Sequence, residues 1–334
     1  MIRAGIVGVG RWGQILVRSV YRKSNRIEFV RGVTRTPANA TAFTEETGIP
    51  INTSYDALLA DPNIDAVVLA TPHSQHIPQV EQAAAAGKHV FVEKPIATDA
   101  VSAERAYLCC REAGVALALG HNRRYLPAYR ELFTLVESGT LGQLLHVEGN
   151  FSGPSAYRQR RDGWRADRAE SPAGGMTGMG IHITDLMVDL LGPVHDVTAI
   201  SSRQVGDFGM DDTTAVLMRF SSGQTGALAT LTATPDDWRF QIFGSRGWAE
   251  IRAEKKLTVG LLDQPRTVTE FGTLDIERAV LEGFAAMIED GADFPVTAQQ
   301  AVANTALLEA IARSSEESAT VAVNLPSSGG VRGK

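Results

Sequence analysis

The sequence predicts an α/β plus α+β fold: an N-terminal doubly wound parallel sheet, then a C-terminal, mostly antiparallel open sheet with helices on one face. Three observations carry that reading. Apolar runs of strand length alternate with helical stretches from the N-terminus to about Gly120, the first run flows straight into a glycine-rich turn and a helix, and beyond Asn122 the pattern becomes a succession of short alternating strands. At 334 residues the chain exceeds one ordinary core, so two domains are expected, 1–122 and 123–325, with 326–334, rich in Ser and Gly, as a flexible tail.

The first strand is residues 2–7, IRAGIV, apolar apart from Arg3. Further strands are expected at 27–34, 66–70, 89–92 and 116–120, with helices at 14–21, 37–47, 55–60, 78–86 and 98–113 between them. Parallel strands need crossover connections, which put helices on both faces of the sheet. Residues 66–70, AVVLA, are apolar throughout, as a strand covered on both faces requires. Gly87 and Gly114 stand where the last turns of two helices end, and Pro78 near the start of one. In the second domain a helix at 126–138 and a turn at Gly139 and Gly142 precede strands at 144–151, 197–205, 213–220, 226–234, 240–243, 249–251 and 257–262. Helices at 181–191, 276–290 and 297–315 are expected on the covered side of this sheet, leaving its other face to solvent or a second subunit.

The strand at 2–7 runs directly into Gly8-Val9-Gly10-Arg11-Trp12-Gly13, which opens a helix. Strand, glycine turn and helix in that order form the dinucleotide-binding fingerprint of the Rossmann fold. Gly8 permits the tight turn, Gly10 lets the backbone approach a pyrophosphate, and Gly13 lets helix and strand pack closely; the amides from Gly10 through Arg11 and Trp12 to Gly13 then face the phosphates. In an NAD site an acidic residue at the end of the second strand binds the adenosine ribose. Here that position is Thr34, followed by Arg35, and a guanidinium beside an uncharged side chain suits a 2′-phosphate that a carboxylate would repel. NADP(H) is therefore favoured as cofactor, with NAD(H) possible.

Bulk properties narrow the function further. A formal charge of −6, with no Lys/Arg block, argues against nucleic acid or an anionic membrane surface as partner. No apolar run has membrane-spanning length and no signal segment precedes the first strand, so a cytoplasmic location is expected. Cys109 and Cys110 are adjacent on an expected helix and read as packing residues of a reduced protein. The seven histidines are scattered, and no metal-ligand spacing is evident.

Thr71-Pro72-His73-Ser74-Gln75-His76 follows the 66–70 strand, Glu93-Lys94-Pro95 follows the 89–92 strand, and 175–185, GMTGMGIHITD, lies in the second domain. With 120–125, GHNRRY, and 308–314, LEAIARS, these segments make the chain resemble the glucose-fructose oxidoreductase, inositol dehydrogenase and rhizopine-catabolism family, Gfo/Idh/MocA, over essentially its whole length. The resemblance implies a nicotinamide-dependent oxidoreductase acting on a sugar, cyclitol or similar polyol held between the two domains. It also implies a homodimer or homotetramer paired through the C-terminal sheet, a proton-transfer role for the lysine matching Lys94, and a place for Glu93 near the nicotinamide ribose.

The residues support a site in their own right. Lys94 stands at the carboxyl edge of the parallel sheet, where ligands of doubly wound folds bind, and burial there lowers an ammonium pKa toward the range useful for proton transfer. Thr71 and Pro72 flank the same crevice, and His73 and His76 could meet the cofactor; the family commonly has Asn at the position of His73. His182 begins a helix whose apolar residues can hold the imidazole toward the cleft, and Asp185, three residues on, could orient it. Trp164 and Arg165 could close over cofactor or sugar, while Asn122 and Arg124 are candidate substrate contacts at the domain junction. One departure from the family pattern stands out: many relatives carry Asp four residues before the histidine, where this chain has Gly178. Tyr157, Asp185 or a substrate hydroxyl could substitute. The expected reaction is hydride transfer between nicotinamide and a secondary alcohol or hemiacetal carbon, with Lys94 polarising the oxygen and His182 shuttling the proton. The rival readings are a glycosidase that retains its nucleotide and a catalytically silent nucleotide-sensing regulator.

Overall fold

The computed structural model describes residues 1–158, 163–206 and 209–326; the tail expected to be flexible lies, from 327 on, outside the described residues. The first domain is built from β1 (Ile2–Val7), α1 (Arg11–Val20), β2 (Ile27–Val33), α2 (Thr41–Thr47), β3 (Ile51–Asn52), α3 (Tyr55–Leu59), β4 (Ala66–Leu69), α4 (His76–Ala85), β5 (His89–Val92), α5 (Ala100–Glu112) and β6 (Leu117–Leu119). Its strands lie in the order β3-β2-β1-β4-β5-β6, every pair parallel. The order reverses between β1 and β4, which opens a crevice at their carboxyl ends. All four residues of β4 are fully buried, as the unbroken apolar run requires.

The second part contains α6 (Pro127–Glu137), β7 (Leu144–Ser152), α7 (Ser155–Arg158) and α8 (Ile181–Leu191), the last entered through a π-helical turn at Met176–Gly180. There follow β8 (Val194–Ser202), β9 (Thr213–Phe220), β10 (Thr225–Leu231), β11 (Asp237–Gly244), β12 (Gly247–Arg252), β13 (Lys256–Leu261), β14 (Thr267–Glu270), α9 (Ile276–Glu289), α10 (Ala298–Glu317) and β15 (Val321–Ala322). They form a nine-stranded sheet, β14-β13-β12-β11-β7-β10-β9-β8-β15, antiparallel except where β7 pairs with β10. Alternation along β9 buries Thr214, Val216, Met218 and Phe220 on one face and leaves Ala215, Leu217 and Arg219 exposed on the other. The buried face packs on α8 and α10, and at Gly149 of β7 an added Cβ would run into the Ile183 side chain, so strand and helix approach closely there.

Capping fixes several helix starts. Ser54, Asp99 and Asp275 each accept a hydrogen bond from the backbone amide three residues on, and Thr297 with Gln300 forms a reciprocal capping box before α10. Three strands escape the sequence pattern. Ile51–Asn52 and Val321–Ala322 are two residues long, and Thr267–Glu270 is exposed at every position, so none carries an apolar period. The strand expected at 197–205 runs instead over Val194–Ser202.

The placement of α9 corrects an expectation. Only its first residue, Ile276, joins the core of the second sheet; Val280, Leu281, Phe284 and Ala285 join the core of the first domain, where the Phe284 ring lies 5.8 Å from Phe91. Helix α10 divides its faces, Ala301, Val302 and Ala306 packing in the first core and Leu307, Leu308 and Ile311 in the second. An apolar stripe announces that a helix is covered but not by which sheet.

Candidate active site

The crevice begins at the turn after β1. Gly8 has φ +94°, in the left-handed region, and an added Cβ would sit 2.5 Å from the Ala70 carbonyl oxygen of the neighbouring strand end. A Cβ on Gly13 would collide with the Gly8 carbonyl, so turn and helix can approach only with glycine there. At Gly10, by contrast, a Cβ meets nothing within 4 Å; the backbone faces open space. No side chain caps α1, whose first-turn amides are left for an external acceptor. The Gly8 amide donates to Val33 O at 2.8 Å, which brings the end of β2 beside the turn, with Thr34 half-buried and Arg35 exposed. Arg11 is exposed, and Trp12 is half-buried against the domain core. A bare glycine turn, an uncapped helix and a nearby exposed arginine fit a dinucleotide.

Across the crevice, Thr71 donates from Oγ1 to Gln79 Oε1 at 2.6 Å, and Thr71 and Pro72 are both half-buried. His73 is buried and donates through Nδ1 to Glu170 O at 2.6 Å; Ser74 binds the Glu170 carboxylate. These contacts tie the 164–171 segment to the first domain. Trp164 stands edge-on to His73 at 4.9 Å between ring centroids, with the Arg165 guanidinium 4.1 Å from the Trp164 centroid. Partial desolvation and then the nearby charge of Arg11 lower the pKa of Arg165. Burial holds His73 at about 3, hence neutral.

His76 departs from expectation. Its ring is wholly buried, with Nδ1 2.8 Å from Pro95 O and Nε2 3.1 Å from Thr71 O, so it clasps two loops together and presents nothing to the crevice. Burial lowers its pKa.

Glu93 and Lys94 follow β5. The Glu93 carboxylate is buried against Gly120, where an added Cβ would come 2.8 Å from Oε1, and burial raises its pKa. Lys94 reaches from the first domain to the π-helical turn of the second, donating from Nζ to Gly178 O at 2.7 Å. Burial brings the ammonium down to about 8, with Glu93 opposing and the charges of Arg123 and Arg165 adding to the fall. Gly178 is exposed, and a Cβ there would meet nothing within 4 Å.

His182 lies four residues beyond Gly178, buried, with its ring 5.9 Å from His121 and 6.0 Å from Phe151. Arg123 Nη1 lies 3.4 Å from Nε2, and since a guanidinium only donates, the ring proton belongs on Nδ1, which has no partner among the described residues. Burial and then Arg123 push the imidazole well below its usual range. A ring so held is neutral, with Nε2 turned to Arg123.

Two expected substrate contacts are braces instead. Arg124 is 2% exposed and forks onto Asp185, with Nε to Oδ2 at 2.8 Å and Nη2 to Oδ1 at 2.7 Å, while Nη1 donates to Asp189, Pro295 O and Gln300. Asp185 is thereby committed to Arg124 and does not reach His182; the nearer imidazole is that of His121, with Nε2 at 3.9 Å. The residue that enters the crevice is Arg123. Its guanidinium lies 5.2 Å from the Phe151 centroid, with Nε on Glu254 at 3.0 Å and Nη1 on Asn122 at 3.0 Å; Asn122 also donates to Glu277 at 3.1 Å. Both arginines sit in one 3-10 turn, Asn122–Tyr125, and sequence alone does not say which faces inward. Tyr157 is 58% exposed and donates to Ala233 O at 3.3 Å, on the rim of the second domain. Among the described residues no His, Cys, Asp or Glu group could hold a metal, and no helix is long and apolar enough to cross a membrane.

Residues 2–121 match an oxidoreductase family described by its NAD-binding Rossmann fold, and residues 129–250 match the GFO/IDH/MocA C-terminal domain. The chain is 29% identical over 340 aligned positions to inositol 2-dehydrogenase of Rhizobium meliloti (strain 1021), covering 96% of this chain and 99% of that protein. It is 30% identical over 297 positions to a D-xylose 1-dehydrogenase (NADP(+)) of Haloferax volcanii, covering 86% and 89%. Among solved structures, aldose-aldose oxidoreductase from Caulobacter crescentus complexed with glycerol superposes with a TM-score of 0.86 at 25% identity, over 96% of this chain and 99% of that one.

Proposed function

The chain belongs to the Gfo/Idh/MocA family of NAD(P)-dependent oxidoreductases acting on CH–OH groups, and we propose that it oxidises a secondary alcohol or hemiacetal carbon of a sugar or cyclitol, reversibly, with Lys94 as the proton-transfer residue. The observation that carries this reading is Lys94 itself: an ammonium brought down to about 8 at the carboxyl edge of the parallel sheet, meeting the second domain at Gly178. When bound, the nicotinamide supplies the two-electron acceptor for the carbinol hydride. Gly8, Gly10 and Gly13 with the uncapped α1 hold the pyrophosphate, Arg11 and Arg165 neutralise it, and Glu93 lies toward the nicotinamide ribose, with Thr71, Pro72 and His73 lining the opposite wall.

In oxidation, neutral Lys94 Nζ takes the hydroxyl proton as the C–H bond gives up its electron pair, leaving a carbonyl; in reduction the ammonium returns the proton. His182, neutral, accepts from Arg123 and helps to hold that guanidinium in place. Trp164 closes one substrate wall, and Asn122 braces Arg123 against Glu277. Thr34 and Arg35, with no carboxylate between them, favour NADP(H) over NAD(H). The second sheet's open face exposes Ile200 (70%) and Leu217 (64%) around the small Ala215, Ala227 and Ala229, a surface suited to pairing with a second copy.

A panel of sugars and cyclitols offered with NADP+ and NAD+, followed by the absorbance of reduced nicotinamide, tests the reading. Stoichiometric reduced coenzyme and ketone or lactone is the expected result. Product without net coenzyme turnover would identify a nucleotide-retaining glycosidase, and tight coenzyme binding with no product would identify a silent sensor.

A further inference from the structure

We infer that the substrate carries a carboxylate, received by the Arg123 guanidinium next to His182; the inference rests on the dehydrogenase reading above. Arg123 is anchored through Nε and Nη1 to Glu254 and Asn122 and supported by the Phe151 ring, so its position is fixed before any ligand arrives. Its Nη2 has no hydrogen-bond partner among the described residues, although Nη1 is already within 3.4 Å of His182 Nε2. A preset guanidinium edge with unused donors, beside a buried neutral imidazole, is a receptor for a planar oxyanion.

Charge balance points the same way. Arg123 and Arg165 both act on Lys94, and Arg123 and Lys94 both act on His182, each disfavouring the protonated form of its neighbour. The carboxylates nearby answer this poorly. Burial drives Glu93 and Glu277 toward their neutral forms, and Glu254 is turned to the Nε side of Arg123. At position 178, next to the Lys94 ammonium, the chain offers only a carbonyl and open space. A neutral polyol would leave the free edge of Arg123 uncompensated, whereas a sugar acid brings one carboxylate for that edge and leaves its hydroxyl for Lys94.

Matched pairs test this: D-glucose against D-glucuronate and D-galactose against D-galacturonate, with D-glucose 6-phosphate as the phosphate arm, compared by kcat/KM and by calorimetric binding to the coenzyme-loaded protein. The uronates should be preferred about 10- to 100-fold over their neutral partners. Arg123→Met should collapse that ratio toward one and weaken uronate binding, while Arg123→Lys should keep part of it. Gly178→Asp, which leaves Arg123 in place and puts a carboxylate in the open space, should lower the ratio independently. A preference for neutral sugars, an unchanged ratio in Arg123→Met, or a preference for the phosphate would each overturn the inference while the dehydrogenase reading stands. Bound coenzyme with oxidation of no sugar at all would overturn both.

Discussion

Replacing Lys94 with Met removes the ammonium and keeps an unbranched side chain of similar length. The structure limits what else is lost. Among the described residues the Lys94 side chain makes one hydrogen bond, to O of the exposed Gly178, which water can satisfy, so the stability change from that bond stays below about 1.5 kcal/mol. The catalytic loss is larger. A positioned general base contributes roughly 100- to 10,000-fold, or about 2.7–5.4 kcal/mol at 1.36 kcal/mol per tenfold. The sign of the pH dependence follows from the lowered pKa: oxidation needs the neutral amine, so kcat/KM for the alcohol should climb with pH and level off above about 8 in the wild type. In Lys94→Met that limb should vanish, with coenzyme affinity and the unfolding midpoint close to wild type. The assay is kcat/KM across the pH range in the oxidation direction, with coenzyme affinity from quenching of protein fluorescence. A variant within a few-fold of wild-type turnover, or one that retains the same limb, would refute the reasoning.

Three further outcomes are expected. Arg124→Leu strands Asp185 and Asp189 without their buried cation and should cost about 3–5 kcal/mol in urea unfolding; a loss below 1 kcal/mol, by the same order-of-magnitude yardstick, would mean the network is not the brace it looks. Arg35→Ala should lower the NADPH-over-NADH affinity ratio by about 10- to 100-fold, and an unchanged ratio would remove Arg35 from the coenzyme site. Leu217→Asp puts a charge on the exposed apolar face of the second sheet and should shift the protein to a smaller species in light scattering; a wild-type mass would exclude that face as the subunit contact.

How much of this was legible beforehand depended on the kind of signal. The Rossmann half was readable because each of its signals is local: an unbroken apolar run at Ala66–Leu69, a glycine turn behind β1, and Gly87 and Gly114 just past the ends of two helices. Lys94 and His182 were legible because they stand at element ends that the topology brings to one crevice. The division of labour between Arg123 and Arg124 was not, since a 3-10 turn points successive side chains in different directions and either could have faced the substrate. Nor could the sequence show that Asp185 belongs to Arg124, or that both nitrogens of His76 are taken by backbone carbonyls, because those partners lie between 5 and 61 residues away and are joined by tertiary contact. Helix α9 misled for the same reason: its apolar stripe was plain, but the sheet it covers is far away in the chain.

The most direct test of the central claim is to supply an oxidisable sugar or cyclitol deuterated at the reacting carbon and to locate the label after turnover. Deuterium carried into the reduced nicotinamide, with a primary isotope effect that persists in wild type and in slowed Lys94 variants, is the predicted result. Deuterium released to water, with no reduced coenzyme formed, would contradict it.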